Sequence, residues 1–258
     1  MPDIANSWKM RFKAAGVHLC ISIVLAILAA LLVFFVWYPY PYREISGGRT
    51  LFLLIVAVDV IMGPLLTFAV FNTRKPRKEL VRDLCVIGVL QLAALGYGLW
   101  TVAAARPVHL VFEMDRFRVV HAIDVPAELL EKASPGLQTF PLMGPTLLSV
   151  RPFRDAKESM EATLAALNGV SIGSRPELWQ DYEKARAQIV SRAKPLAELK
   201  ARFPARSVEI DAALKAAGSG RPPATVGYVP MMGRDTFWTV LLDTTTLEVI
   251  AFVPIDSF

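Results

Sequence analysis

Cysteine and histidine are scarce: the chain of 258 residues holds 2 of the first and 3 of the second. Cys20 and Cys85 both fall inside apolar runs and no cysteine follows, so no disulfide can hold the C-terminal part together; both thiols read as apolar packing. His18 lies in the first apolar run, while His109 and His121 lie beyond the third, which excludes a three-histidine metal centre. Two imidazoles alone are a weak metal signal, and His109 and His121 are expected to be solvated strand residues; whether they share a face depends on a loop length that sequence leaves open. There is no Gly-x-Ser-x-Gly elbow, no phosphate-binding glycine loop, no His-Glu-x-x-His and no Cys-x-x-Cys. Acid pairs such as Glu158 with Glu161 and Asp181 with Glu183 sit among Lys and Arg and read as solvated faces. We expect no catalytic residue, no metal and no cofactor.

A surplus of charge over the C-terminal part is also missing. Of the 28 Lys and Arg and 23 Asp and Glu, residues 1–106 carry 11 against 5 and residues 107–258 carry 17 against 18. The formal charge of +5 therefore belongs to the N-terminal part, and the rest has no basic excess with which to neutralise phosphates, so no nucleic-acid partner is expected.

What the chain does have is apolar length, with 54% hydrophobic residues. The runs Val17–Tyr38, Leu51–Phe71 and Leu84–Ala104 each reach the ~20 helical residues that a bilayer core requires. All three are expected to span a lipid bilayer. The first lacks a cleavage site after Trp37-Tyr-Pro-Tyr-Pro-Tyr42 and is read as a retained anchor rather than a signal peptide. Lys9, Arg11 and Lys13 precede the first run, and Arg74, Lys75, Arg77, Lys78 and Arg82 separate the second from the third, whereas Arg43 and Arg49 are the only basic residues between the first two. By the positive-inside rule the amino terminus is cytoplasmic and everything after Arg106 lies outside, with Trp37, Tyr38, Tyr40, Tyr42 and Trp100 at the outer interface. The expected division is a transmembrane module over 1–106 and an outer domain over 107–258.

From Pro107 the pattern alternates. Val108–Glu113 and Phe117–Ala122 predict a hairpin, and Val226–Met231, Thr236–Leu242 and Leu247–Pro254 predict further strands, the last two joined by the polar turn Asp243-Thr-Thr-Thr246. Between them, helices are predicted over Asp155–Leu167, Glu177–Val190 and Ser207–Ala216, with apolar stripes (Ala156, Met160, Leu164, Leu167; Leu178, Tyr182, Ala185, Ile189) assigned to the domain's own core. Gly218-Ser-Gly-Arg-Pro-Pro223 reads as a flexible connector. The fold class is a membrane protein: three N-terminal transmembrane helices, then a periplasmic α+β domain with an antiparallel sheet in which both terminal hairpins share.

One group resists the apolar reading. Asp59 stands inside Leu54-Ile-Val-Ala-Val-Asp-Val-Ile-Met-Gly-Pro-Leu-Leu66, and a carboxylate at mid-span costs about 2.5–3.5 kcal/mol on insertion scales, so it must face protein or water. At about 1.5 Å per residue, Tyr97 on the third span reaches the same depth and is the expected hydrogen-bond partner, with Gln91 about two turns lower. Gly63 and Pro64 follow one turn after Asp59; Gly-Pro opens a helix and frees backbone carbonyls. Ala26, Ala30, Ala94 and Gly98 add small-residue faces, which serve either packing among the three spans or a docking groove for a fourth helix from a partner. The candidate partner-binding residues are Asp59, Gly63, Pro64, Gln91 and Tyr97.

The order of several short motifs is distinctive. Gly16-Val-His-Leu19, Val36-Trp-Tyr-Pro39, Gly47-Gly48, Val58-Asp59 with Gly63-Pro-Leu-Leu-Thr67, Arg82-Asp-Leu84, Gln91, and Arg106-Pro107 running into Asp115-Arg-Phe117 together resemble the TfpX/TfpZ family of type IV pilin accessory proteins. The resemblance covers about residues 14–122 and returns at Gly233-Arg-Asp235, Val240-Leu-Leu-Asp243 and Glu248-Val-Ile250; the helical middle shows none, and Thr244-Thr-Thr-Leu247 stands where a glycine-containing turn is expected. It implies a bacterial inner-membrane accessory factor, a chaperone or assembly modulator without chemistry of its own, that assists a type IV pilin. The pilin subunit's apolar N-terminal helix would be the guest of the spans. The alternative is a membrane-anchored periplasmic sensor or enzyme that binds a small molecule through the hairpin histidines or the acids near Asp115, and the poverty of catalytic groups argues against it.

Overall fold

A computed structural model describes residues 2–218, 222–234 and 236–258. Residues 219–221 of the connector and Asp235 of the Gly-Arg-Asp motif lie outside the described residues. The chain divides into two compact units, Met1–Ala104 and Ala105–Phe258.

In the first unit three helices are long and apolar enough to cross a membrane: Asn6–Trp37, Gly48–Val70 and Arg77–Ala104. The first and third start well before their apolar runs, because Lys and Arg are good helix formers and carry the helix on into the basic flank. On that extension Trp8 and Phe12 lay their rings on Phe68, with centroids 5.7 and 4.9 Å apart. At the opposite end Phe34 meets Phe52 edge-on at 4.9 Å, so the first two spans run antiparallel side by side. The third packs on the second through Gly98, where a Cβ would come within 2.8 Å of Ile55. Tyr38 ties the ends of all three: it is fully buried, its ring fills the space of the missing Gly48 Cβ, and its hydroxyl donates to the Val102 carbonyl at 3.0 Å. The short turn into the second span needs the left-handed backbone of Gly47, at φ 68°. Only 17%, 22% and 17% of the three apolar windows are buried, so most of the span surface is left for lipid or another polypeptide.

The second unit is a mixed sheet with helices. Its strands are β1 (Pro107–Glu113), β2 (Arg116–His121), β3 (Thr146–Val150), β4 (Trp179–Asp181), β5 (Lys194–Pro195), β6 (Val226–Met232), β7 (Phe237–Asp243) and β8 (Val249–Val253), in the order β4-β3-β1-β2-β6-β7-β8 with β5 on β6. The expected hairpins β1–β2 and β7–β8 are antiparallel and share one sheet. The seam between the N- and C-terminal halves runs parallel, as β2 meets β6 through Phe117–Met231 and Arg118–Met232. β3 also lies parallel to β1; the long excursions that precede β3 and β6 allow such crossovers, which a tight turn cannot make. One core gathers Val108, Val111, Leu148, Leu178 and Trp179, and a second gathers Leu196, Leu199, Ile210, Tyr228 and Leu241.

Three sequence expectations are corrected. Glu177–Val190 is not one helix but a 3-10 turn, β4, another 3-10 turn and the helix Arg186–Arg192, although Leu178, Tyr182, Ala185 and Ile189 are buried as expected. The helix Ala156–Leu167 forms, but Met160, Leu164 and Leu167 are exposed and only Ala162 is buried, so that stripe is not core. His109 and His121 are both buried rather than solvated. They are not cross-strand partners either: a bulge after Pro107 pairs His109 with Val120 and Pro107 with His121. The His109 ring edges Trp179 at 4.5 Å; its Nε2 lies 2.8 Å from the Thr139 carbonyl, which only accepts, so Nε2 donates and Nδ1 accepts from the Thr146 hydroxyl at 2.7 Å.

Burial pushes His109 down from 6.5 to about 4. As pH falls the unfolded ring takes its proton first, so this contribution is intact above about 6.5 and drains away towards pH 4. At 1.36 kcal/mol per unit the loss reaches about 3 kcal/mol. Denaturant unfolding of the full chain, followed by Trp179 fluorescence, is expected to show this loss, and His109→Gln to flatten it; equal acid sensitivity in both proteins would contradict the assignment.

Candidate functional site

The second span does not keep a regular helical register through its polar centre. Val58–Met62 forms a π-helical segment between Gly48–Ala57 and Gly63–Val70. In the i→i−5 register of such a turn, the N–H that would reach the Asp59 carbonyl belongs to residue 64, and residue 64 is a proline without one. The freed carbonyl is taken from the third span: Gln91 Nε2 donates to the Asp59 carbonyl at 3.1 Å and to its Oδ1 at 3.0 Å. Gly63 makes that reach possible, since a Cβ there would overlap the Gln91 amide. Asp59, Gly63, Pro64 and Gln91 thus form one construction, with Asp59 only 8% exposed.

Tyr97 is not part of it. Its side chain is 70% exposed and stacks beside Trp100, with ring centroids 5.8 Å apart. Both height and rotation differ from the sequence expectation: Gln91, expected about two turns lower, reaches the Asp59 backbone, and Gly98, next to Tyr97, lies opposite Ile55. Gln91 and Gly98, seven residues apart, share the face towards the second span, whereas Tyr97 is turned about 120° away from Gln91.

The construction stands between two grooves of the same unit. The first, of about 560 Å³, has walls from the first span (Val17, Ile21, Leu25) and the third (Gly88, Leu92, Leu95), with Asp59, Thr67 and Phe71 of the second span beneath. The other, of about 380 Å³, lies between the second and third spans; Asp59, Gly63, Gln91 and Tyr97 line it, and Tyr97 joins the site only there. Both are mainly apolar, with a line of polar groups along the first. There His18 Nδ1 meets the Thr67 hydroxyl at 2.5 Å, and Ser22 is buried at 2%. Sequence reasoning missed His18, Ser22 and Thr67 as site residues. The signal was present in the spacing: Asp59, Gly63 and Thr67 recur every fourth residue, which puts them on one helical face. Among the described residues no group of three His, Cys, Asp or Glu side chains converges to hold a metal.

Breaking half of a buried polar pair is worse than removing both halves, because the remaining group keeps its desolvation cost. Gln91→Leu is therefore expected to lose about 1–3 kcal/mol in thermal unfolding of the detergent-solubilised protein, and Asp59→Leu/Gln91→Leu to recover part of it. A double variant no more stable than Gln91→Leu would contradict the pairing.

Comparison with known proteins gives the site a context. The family model described as fimbrial assembly protein FimB matches residues 6–47, which comprise the first span and the turn after it. The fimbrial assembly protein of serogroup I from Dichelobacter nodosus is 38% identical over 256 residues, covering 97% of this chain and 98% of its own length. That of serogroup E1 from the same organism is also 38% identical with the same coverage, and that of serogroups C1 and C2 is 43% identical over 129 residues, 48% of this chain. No solved structure matches. Similarity at this level over nearly the whole of both chains places this protein in the family of fimbrial assembly proteins.

Proposed function

We propose that this protein is a TfpX/TfpZ-type accessory factor of a bacterial inner membrane that holds a type IV pilin subunit by its apolar N-terminal helix and so promotes pilus assembly. The observation that carries the reading is the groove between the first and third spans. It is long, apolar along its walls and polar at its floor, and the spans around it are largely uncovered. A helix lying there would bury its sides against Ile21, Leu25 and Leu92 and meet Asp59 at mid-span. The names of the relatives, all fimbrial assembly proteins, support a role with pilus components rather than catalysis.

In this reading the amino terminus and the basic loop from Arg74 to Arg82 are cytoplasmic and the second unit is periplasmic, which the distribution of Lys and Arg favours. The bilayer is the second partner. Asp59, Gly63, Pro64 and Gln91 act as the polar seat of the groove, and Tyr97 as part of the wall of its neighbour.

Site-specific photo-crosslinking in cells tests this. Probes at Ile21 and Leu92, both exposed and lining the groove, are expected to capture the pilin subunit, and a probe at Leu28, equally exposed but outside both grooves, is not. Equal capture from all three positions, or none from the groove, would overturn the docking reading.

A further inference from the structure

The second unit contains a polar notch of about 320 Å³ that the proposed function does not use. It opens where β2 runs on past the end of β6, since only Phe117 and Arg118 pair with that strand. Its lining includes Arg118, His121, Asp124, Ser171, Ser174 and Arg234, the last from the Gly233-Arg-Asp motif that the sequence singled out.

Most acceptors in the notch are already occupied. Asp124 Oδ2 accepts from His121 Nδ1 at 2.9 Å and from the His121 backbone N–H at 3.3 Å, and its Oδ1 accepts from Arg234 Nη2 at 2.8 Å. Burial acts to raise Asp124, but the His121 hydrogen bond and the charges of His121 and Arg234 outweigh it and hold the carboxyl below the usual carboxylate range. Arg118 uses only Nε, donating to Glu113 Oε1 at 2.5 Å, and Ser171 and Ser174 share one hydrogen bond at 2.7 Å. Among the described residues, what remains is mostly donors: both Nη groups of Arg118, the rest of the Arg234 guanidinium and one serine hydroxyl proton. His121 stands in the wall of the notch with its side chain 1% exposed, held there through Nδ1 by Asp124.

We infer that this notch binds a small oxyanion group, a carboxylate or a phosphate, between Arg118 and Arg234, with the serine pair completing its contacts. Guanidinium groups recognise such oxygens through their planar fork. Glu113 and Asp124 already offset the two positive charges, so directed hydrogen bonds rather than net charge select the ligand. The oxyanion comes either as a free solute or as an acidic side chain of a partner polypeptide, and the two sources are separable. The inference stands independently of the groove.

The test is isothermal titration of the full detergent-solubilised chain, at constant ionic strength, with sodium phosphate, sodium acetate and N-acetylaspartate amide. At least one probe is expected to bind saturably, one per chain, and Arg234→Ala to weaken it at least tenfold, while Arg186→Ala, which removes an exposed arginine paired elsewhere with Glu183, leaves it within twofold. Preference for phosphate identifies a free anion, and preference for the aspartate derivative identifies a protein acid. Arg234 is half-exposed, so its variant is expected to fold, which circular dichroism checks. No saturable heat with any probe, binding that survives Arg234→Ala, or equal loss in Arg186→Ala overturns the inference.

Discussion

A carboxyl group and a backbone carbonyl of one residue, both satisfied by a single amide from the neighbouring helix, organise the membrane module. Hydrocarbon offers no water to a stray polar group, so Asp59 is tolerable only where protein supplies its partner. Gln91 supplies it twice, once to the carbonyl that Pro64 leaves open and once to the side chain. The absence of a side chain at Gly63 admits Gln91 to that position. Four residues on two helices therefore set the rotation and height of the third span against the second.

That arrangement shapes the surfaces around it. The second span lies beneath the space between its two neighbours, so the first and third form walls rather than a closed bundle. Tyr38 holds the three ends together by filling the gap at Gly48 and bonding Val102. A module tied at one end and seated on a polar pair near its middle can keep a groove open without collapsing onto itself. The membership in a family of fimbrial assembly proteins gives such a groove a biological setting.

The second unit handles its polar groups by a similar logic of burial with compensation. His109 is kept neutral against Trp179, with both ring nitrogens bonded. Glu113 is almost fully buried yet accepts from Arg118 and from the Gly173 backbone N–H at 2.6 Å, at a position where any larger residue would crowd it. His121 departs from this pattern: Nδ1 bonds Asp124, while Nε2 has no partner among the described residues.

Composition and periodicity alone determined the three spans, the strand-rich ends of the second unit and the break in apolar character at Asp59, Gly63 and Pro64. Each depends on a local quantity: apolar length, alternation of side chains, or the missing N–H of a proline. Tertiary structure decided what depends on rotation and register. It assigned Asp59 to Gln91 rather than Tyr97, because neither the relative height of two helices nor their facing sides can be known until the neighbour is placed. It buried His109 and His121, exposed Met160, Leu164 and Leu167, and made the central seam parallel, since each of these follows from which distant segment arrives to cover a strand or helix.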